Sequence, residues 1–237
     1  MSFLVDEGGY YSLTGMGIAL VIIVAIALLV ITGFIQAASV KREEKAIRNE
    51  HAGSIFTVRQ LVFSAIALAI AFALSYVKIF HCPWGGSVTL CSMLFITMVG
   101  YWYGPKIGII VAFTYGLLQF IQGGGDYMLS PMQVCLDYIV AFAALGLSGF
   151  FSKFKNGLTV GYVVAVVARG AFHALGGYLY WMDYMPENFP VQFAAVYPIA
   201  YNYFYIGLEM ILTLIIINIP AVKKALERVK LLATMKA

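Results

Sequence analysis

The chain has 237 residues, of which 62% are hydrophobic and 11% are charged, against about 25% charged residues in an ordinary soluble domain. The formal net charge is +4, but the basic residues lie in short runs between apolar stretches, so the charge does not indicate nucleic-acid binding. The sequence contains no phosphate-binding glycine loop, no metal-ligand motif and no recognisable nucleophile–base pair. It therefore predicts an integral membrane protein without a cofactor, a metal site or an enzyme signature.

Apolar stretches along the chain predict seven membrane-spanning helices, and hence an all-α membrane protein. Several of them reach about 20 residues, the length that crosses about 30 Å of hydrocarbon. The shorter third and fourth stretches, separated by Gly104 and Pro105, suggest broken or partly re-entrant helices beside a protein-walled cavity. The seven stretches are Ile18–Ala38, Gln60–Phe80, Val88–Tyr103, Ile107–Ile121, Val134–Phe151, Thr159–Trp181 and Ile199–Ile219.

The first stretch is read as a retained helix and not as a signal peptide. Asp6 and Glu7 precede it, where a signal peptide would carry basic residues. The polar segment Lys41–Glu50 that follows is expected to be a solvated connector. The alternative for this segment is contact with a partner protein or with anionic membrane lipid.

Alanines recur every four residues in the second stretch, at Ala65, Ala69 and Ala73. Such rows of small residues let the backbones of two membrane helices approach closely. Two interpretations stay open: the row packs inside the same bundle, or it is the docking surface for another membrane protein.

The basic residues predict how the chain is oriented in the membrane. Thirteen of the 15 Lys and Arg residues fall at one side of the predicted spans, and the exceptions are Lys78 and Arg169. Because positively charged loops stay in the cytoplasm, this side is predicted to be the inner one. The N-terminus is then outside and the C-terminus inside, in the plasma membrane.

Four charged residues fall inside predicted spans, and two of them, Lys78 and Glu209, lie in the second and the last stretch. Arg169 lies ten residues into the sixth stretch, and Asp137 lies near the start of the fifth. An intramembrane charge costs about 2.5–3.5 kcal/mol on insertion scales, so it faces protein or water and marks a functional site by default. A carboxylate partner is expected for Arg169, with Asp137 and Glu209 as the candidates.

Polar and aromatic residues of three predicted spans converge in the outer half of the membrane. The outer loops add Trp84, on a possible lid, and Tyr127, beside a glycine triplet. Aromatic faces around a buried carboxylate suit a flat cationic heteroaromatic ligand, through stacking, cation–π attraction and ion pairing. The converging residues are Asp137, Tyr138, His173, Trp181, Tyr197 and Asn202.

At these residues the sequence resembles the thiamine-specific S-components of energy-coupling factor transporters. The resemblance covers about Arg59 to Ile219, and it depends on spacing within and between several segments. These segments are PWGGSVTLCSML, YGLLQFIQGG, MQVCLDYIVAFAALGLSGFF, RGAFHALGGYLYWMDYMP and YPIAYNYFYI.

The resemblance implies a six-helix substrate-binding domain over residues 59–237, preceded by an extra helix and connector over residues 1–58. It implies thiamine as the ligand, and a transmembrane coupling protein and two ATPase subunits as partners, with Ala65, Ala69 and Ala73 at the docking surface. Asp137 stands where the family often has Glu. By position, the implied ligand contacts are Asp137, Tyr138, His173, Trp181, Tyr197, Asn202, Arg169, Tyr127 and Trp84.

Two other functions are compatible with the residues alone. The first is a self-sufficient, ion-coupled carrier in which Arg169, Asp137 and Glu209 relay protons. The second is a membrane enzyme with His173 and Asp137 as an acid–base pair, although the sequence supplies no nucleophile for it.

Overall fold

The computed structural model describes residues 4–6, 11–13, 56–84, 86–124 and 128–235. The predicted first span Ile18–Ala38, the connector Lys41–Glu50 and the predicted ligand contact Tyr127 lie outside the described residues. Near the N-terminus, strands β1 (Leu4–Asp6) and β2 (Tyr11–Leu13) form an antiparallel pair.

Seven longer helices, a second hairpin and two short 3-10 helices, Met182–Tyr184 and Val191–Val196, make up most of the rest of the described chain. Three of the helices carry local changes of winding. The third continues as a π-helical turn over Phe120–Gly124 and the fifth over Gly177–Trp181. The fourth contains a π-helical turn at Cys135–Val140 and ends as a 3-10 helix over Ala144–Phe151. The helices are α1 (Val58–Ser75), α2 (Ser92–Tyr103), α3 (Pro105–Gln119), α4 (Pro131–Phe151), α5 (Gly157–Gly176), α6 (Tyr197–Asn218) and α7 (Pro220–Thr234).

Five of the described helices, α1 and α3 to α6, are long and apolar enough to cross a membrane. Helix α2 has only 12 residues, which is less than the 17 or so that a full crossing needs. The expected multi-pass and mainly helical membrane architecture is thereby confirmed. The number of seven spans stays a prediction, because its first member lies outside the described residues.

The second predicted span ends earlier than expected, at Ser75 instead of Phe80. Residues Lys78–His81 form strand β3, which pairs antiparallel with β4 (Ser87–Thr89). The fold is therefore not purely α-helical. An Ile-Phe pair favours extended backbone, and Gly86, at φ +71°, takes a conformation in the turn that other residues rarely adopt.

Short sequence signals define the ends of the helices. Thr57 starts α1 with a capping box, in which its hydroxyl accepts from the Gln60 backbone and Gln60 accepts from the Thr57 N–H. Gly104, at φ +87°, ends α2, and Pro105 is the first residue of α3. This junction makes α2 and α3 two separate antiparallel neighbours, as the sequence predicts.

Glycines allow α2, α3 and α4 to pack with their backbones almost in contact. A Cβ atom on Gly108 would lie 2.6 Å from the Cα of Gly100, and one on Gly146 would lie 2.5 Å from the Cα of Ile109. This tight core occupies the end of the bundle where α2 ends and α3 begins. At the opposite end, where α1, α3 and α5 finish and α2, α4 and α6 begin, the helices surround a cavity.

Candidate functional site

The cavity has a volume of about 960 Å³, near the upper end of the 300–1,000 Å³ or so that is usual for small-molecule sites. All six helices α1 to α6 and the β3–β4 hairpin contribute to its wall. One lining residue from each helix illustrates this arrangement: Ser75, Ser92, Gln119, Asp137, His173 and Asn202.

Asp137 lies on the π-helical turn of α4 and is 8% exposed. Its Oδ2 accepts hydrogen bonds from Gln133 Nε2, at 2.7 Å, and from Trp181 Nε1, at 3.0 Å. Its Oδ1 lies 3.6 Å from His173 Nδ1. The two donors hold the carboxylate in one orientation, and because both are neutral they leave its negative charge available to a cation.

His173 and Arg169 lie one turn apart on α5 and both line the cavity. The Nε2 of His173 and the Nε of Arg169 are buried, and neither has a hydrogen-bond partner among the described residues. Buried donors and acceptors in proteins are nearly always paired. Because these two nitrogens have almost no accessible surface, a ligand in the cavity would reach them only after the side chains shift.

The carboxylate partner expected for Arg169 is not observed. Its Nη1 lies 2.8 Å from Met93 Sδ, and its Cζ lies 4.2 Å from the centre of the Phe142 ring. Among the described residues, no carboxylate oxygen lies within 4.0 Å of the guanidinium. Asp137 and Glu209 are both engaged by other donors, so the guanidinium rests on the face of an aromatic ring instead.

Glu209, the second candidate partner, binds the region where β4 leads into α2. Its Oε2 accepts from the Thr89 N–H, at 3.2 Å, and from the Thr89 hydroxyl, at 2.6 Å. Its Oε1 accepts from the Ser92 hydroxyl, at 3.1 Å, and from the Met93 N–H, at 3.3 Å. A carboxylate at a helix N-terminus also interacts favourably with the helix dipole. Glu209 therefore connects α6 to the start of α2.

The predicted residues of α6 line the cavity in different ways. Tyr197 is buried, and its ring stacks on Tyr201 with centroids 5.6 Å apart. Asn202 donates to the backbone oxygens of Pro198, at 2.8 Å, and His173, at 3.3 Å. Asn202 thus holds α5 and α6 together as well as lining the cavity.

The two remaining predicted aromatics lie on other parts of the wall. Tyr138, on α4, stacks on Phe142 with an interplanar angle of 11°. Trp84, at the turn of the β3–β4 hairpin, packs against Phe189 and Phe204, with ring centroids 5.0 and 5.8 Å away. The hairpin turn is therefore held over the cavity by aromatic contacts with the α5–α6 loop and with α6.

The structure brings eight of the nine predicted ligand contacts into this one cavity, and the ninth, Tyr127, lies outside the described residues. Their role in binding stays a prediction. A polar cluster was missed: Gln119 Nε2 donates to Ser75 Oγ, at 3.0 Å, and to Gln122 Oε1, at 2.8 Å. The available signal was the position of these uncharged polar residues at the outer ends of apolar spans. Among the described residues, no cluster of His, Cys, Asp or Glu is suited to hold a metal.

The alanine row of α1 points away from the bundle. Ala65, Ala69 and Ala73 are exposed, whereas Ala67 and Ala71 are buried, at 2% and 0% exposure. Of these five alanines, therefore, only Ala67 and Ala71 pack within the bundle.

The fold and the cavity define a multi-pass helical membrane protein with an internal cavity walled by aromatic residues and two carboxylates, Asp137 and Glu209. Residues 61–228 match the family model described as thiamine transporter protein (Thia_YuaJ), and the chain belongs to this family. The family is one of transporters, so the enzyme alternative is set aside.

Known proteins with similar sequences agree with this assignment. The thiamine transporter ThiT of Bacillus subtilis (strain 168) is 34% identical over 173 residues, which cover 67% of this chain and 88% of that protein. The thiamine transporter ThiT of Lacticaseibacillus paracasei is 26% identical over 172 residues, covering 66% and 83%.

The fold resembles a solved structure of ThiT from Listeria monocytogenes, with a TM-score of 0.54. That match covers 73% of this chain and 96% of the solved chain at 22% sequence identity.

Proposed function

We propose that this chain is the thiamine-binding membrane subunit of an ATP-driven transporter of the energy-coupling factor type. The observation that carries the proposal is the Asp137 carboxylate, oriented by Gln133 and Trp181 inside an aromatic-walled cavity. Thiamine consists of two flat rings joined by a methylene group, one of them a permanently charged thiazolium, and a desolvated carboxylate attracts such a cation strongly.

The aromatic rings and the unpaired nitrogens complete the proposed recognition. Trp84, Trp181 and Tyr197 present aromatic surface to the cavity, on which a cationic ring can stack. Small shifts of His173 and Arg169 would turn their buried, unpaired nitrogens toward the uncharged, nitrogen-bearing half of the ligand. The cavity thus matches both the charge and the polarity of thiamine.

The exposed alanine row supports docking on a transmembrane coupling protein. Ala65, Ala69 and Ala73 leave a shallow surface on α1 that the bundle itself does not use. A second membrane helix can approach such a surface closely. We infer that the coupling protein binds here and that two ATPase subunits supply the energy.

The charges support the proposed orientation. Arg59, Lys106, Lys153 and Lys155 lie at the bundle end opposite the cavity, and the basic helix α7 adjoins that end. The positive-inside rule makes this end cytoplasmic, so the cavity opens to the outside. We further infer that residues 59–237 form the substrate-binding unit, and that residues 1–58 add one more span with its N-terminus outside.

The structure does not favour the ion-coupled alternative. A relay through Arg169, Asp137 and Glu209 needs these groups close to one another, but the guanidinium is more than 4.0 Å from both carboxylates. Capture of the ligand with energy supplied by a partner therefore remains the better account.

A binding titration of the purified chain tests the proposal. We expect saturable binding of thiamine, and much weaker binding of an analogue in which a neutral thiophene ring replaces the thiazolium. Equal affinity for both compounds would show that the Asp137 charge does not recognise the cation. Absence of thiamine binding would overturn the proposed function itself.

A further inference from the structure

Helix α7 lies at the end of the bundle opposite the cavity and is not needed to form the site. It follows α6 directly: Asn218 ends α6, Ile219 is extended at φ −63° and ψ 125°, and Pro220 begins α7. Because α6 is long enough to cross the membrane, the sharp change of direction at Ile219 places α7 at the membrane boundary.

Three contacts hold α7 against the start of α1 and the end of α2. Arg59 Nη1 donates to the Met235 carbonyl oxygen at 2.6 Å, and the Tyr103 hydroxyl donates to the Ala233 carbonyl oxygen at 3.2 Å. The Nζ of Lys230 lies 3.9 Å from the centre of the Tyr101 ring. These contacts hold the C-terminal half of α7 against the bundle, so the helix does not extend into solvent on its own.

The inner and outer faces of α7 differ in chemistry. Residues at intervals of three and four face the bundle, and Ala233 among them is 2% exposed. These inward residues are Val222, Leu226, Val229 and Ala233. The outward face combines three exposed basic residues, Lys223, Lys224 and Arg228, with a single acidic residue, Glu227.

The last turn of α7 exposes large apolar side chains at the level where α1 begins. Leu231 is 65% exposed, Leu232 is 56% exposed and Met235 is 57% exposed. The Arg59–Met235 contact places this group beside the exposed Val58 of α1. It therefore continues the apolar, membrane-facing surface of the bundle.

We propose that α7 is an interfacial helix that binds anionic phospholipid. Lys223, Lys224 and Arg228 contact the headgroups, and the apolar last turn enters the boundary of the acyl chains. An outward face with basic and apolar residues suits an anionic membrane surface. A protein partner is the less favoured occupant, because the apolar group is continuous with surface that already faces lipid.

The test compares the full chain in nanodiscs of phosphatidylcholine and in nanodiscs that also contain phosphatidylglycerol, by amide hydrogen exchange over residues 220–235. We expect slower exchange in the anionic discs, an effect that high salt reduces. In the double variant Lys224→Gln, Arg228→Gln, this slowing of exchange by anionic lipid should decrease by up to about 30-fold, because two surface charges that attract the lipid are lost.

The matched control is Lys153→Gln, Lys155→Gln, which removes the same charge from the exposed α4–α5 loop. It should leave the lipid dependence over residues 220–235 unchanged. Equal exchange in both lipids, or an equal loss of protection in both variants, would overturn the proposal. Thiamine binding by all three proteins is measured in parallel, so failure of the proposed transport function would be recognised separately.

Discussion

Trp181 donates its indole N–H to Oδ2 of Asp137 across 3.0 Å, although the two residues are 44 positions apart. The bond joins the π-helical end of α5 to the π-helical turn of α4. It fixes the indole ring in the cavity wall and directs the remaining oxygen, Oδ1, toward His173. The carboxylate and the indole ring thereby lie side by side in the wall of the cavity.

Replacing Asp137 with Asn should weaken thiamine binding by about 100-fold or more, the consequence of removing one partner from a buried charge pair. The side chain keeps nearly the same shape, and its oxygen can still accept from Gln133 and Trp181. Calorimetric titration measures the change. Asp183→Asn is the control, because Asp183 is exposed and outside the cavity wall; equal losses in both variants would contradict the proposed ion pair.

Quenching of tryptophan fluorescence by thiamine should come from the cavity residues Trp84 and Trp181. The third tryptophan, Trp102, packs against Phe63 near the opposite end of α2, and it does not line the cavity. Fluorescence titration of the Trp102→Phe variant should retain the full quenching, whereas Trp181→Phe should lose a large part of it. Loss of the quenching in the Trp102→Phe variant would show that thiamine binds outside the cavity.

Gly176→Ala should reduce thiamine affinity without unfolding the protein. A Cβ atom at this position would lie 2.5 Å from Asp137 Oδ1, so the carboxylate must move. The helix itself gains from the change, because Ala is favoured over Gly by about 1 kcal/mol in helix interiors. The control is Gly207→Ala on α6, where the added atom meets nothing within 4 Å. Binding and melting temperature are measured for both; unchanged affinity in Gly176→Ala would argue against this position for the ligand.

Glu209→Gln should destabilise the protein by about 2–3 kcal/mol, since hydrogen bonds to a charged group are stronger than neutral ones. The amide would turn one of its own donors toward the hydroxyl and N–H donors that Glu209 now accepts. Thermal unfolding in detergent measures the loss. Glu187→Gln, at an exposed position, should change the melting temperature little; a similar decrease in both would exclude a special role for Glu209.

Ala69→Leu should abolish thiamine uptake while leaving thiamine binding intact. The larger side chain fills the exposed alanine row, and prevents close approach of a partner helix. Uptake is measured in cells that supply the coupling protein and ATPase subunits, and binding is measured on purified protein. Val164→Leu is the control, since Val164 is also exposed, but on α5. Normal uptake by the Ala69→Leu variant would show that the coupling protein does not dock on the alanine row.

The main features of the fold were predictable because they depend on composition along the chain. Long apolar stretches have one stable solution in a bilayer, a helix that satisfies its own backbone. The hairpin was missed, because Lys78–His81 continues the apolar run of α1 and only its pairing with β4 makes it a strand. Its position beside the cavity follows only from the tertiary structure.

The candidate site was predictable to the extent that single residues were unusual in their surroundings. Asp137 and Arg169 were recognisable as charges within apolar spans. Their partners were not, because several donors compete for each carboxylate and local spacing does not decide which one reaches it. Glu209 was one of two candidate partners for Arg169, but its carboxylate binds the start of α2 instead.

By itself the sequence determined that this protein lies in the membrane, which end of the bundle is basic, and which residues are candidates for one ligand site. These conclusions follow from hydrophobicity and charge, which act residue by residue. The tertiary structure alone decided that Trp181 and Gln133 orient Asp137, that Arg169 rests on Phe142, and which alanines of α1 stay exposed. Those outcomes depend on distances of a few ångströms between helices, which side-chain packing sets.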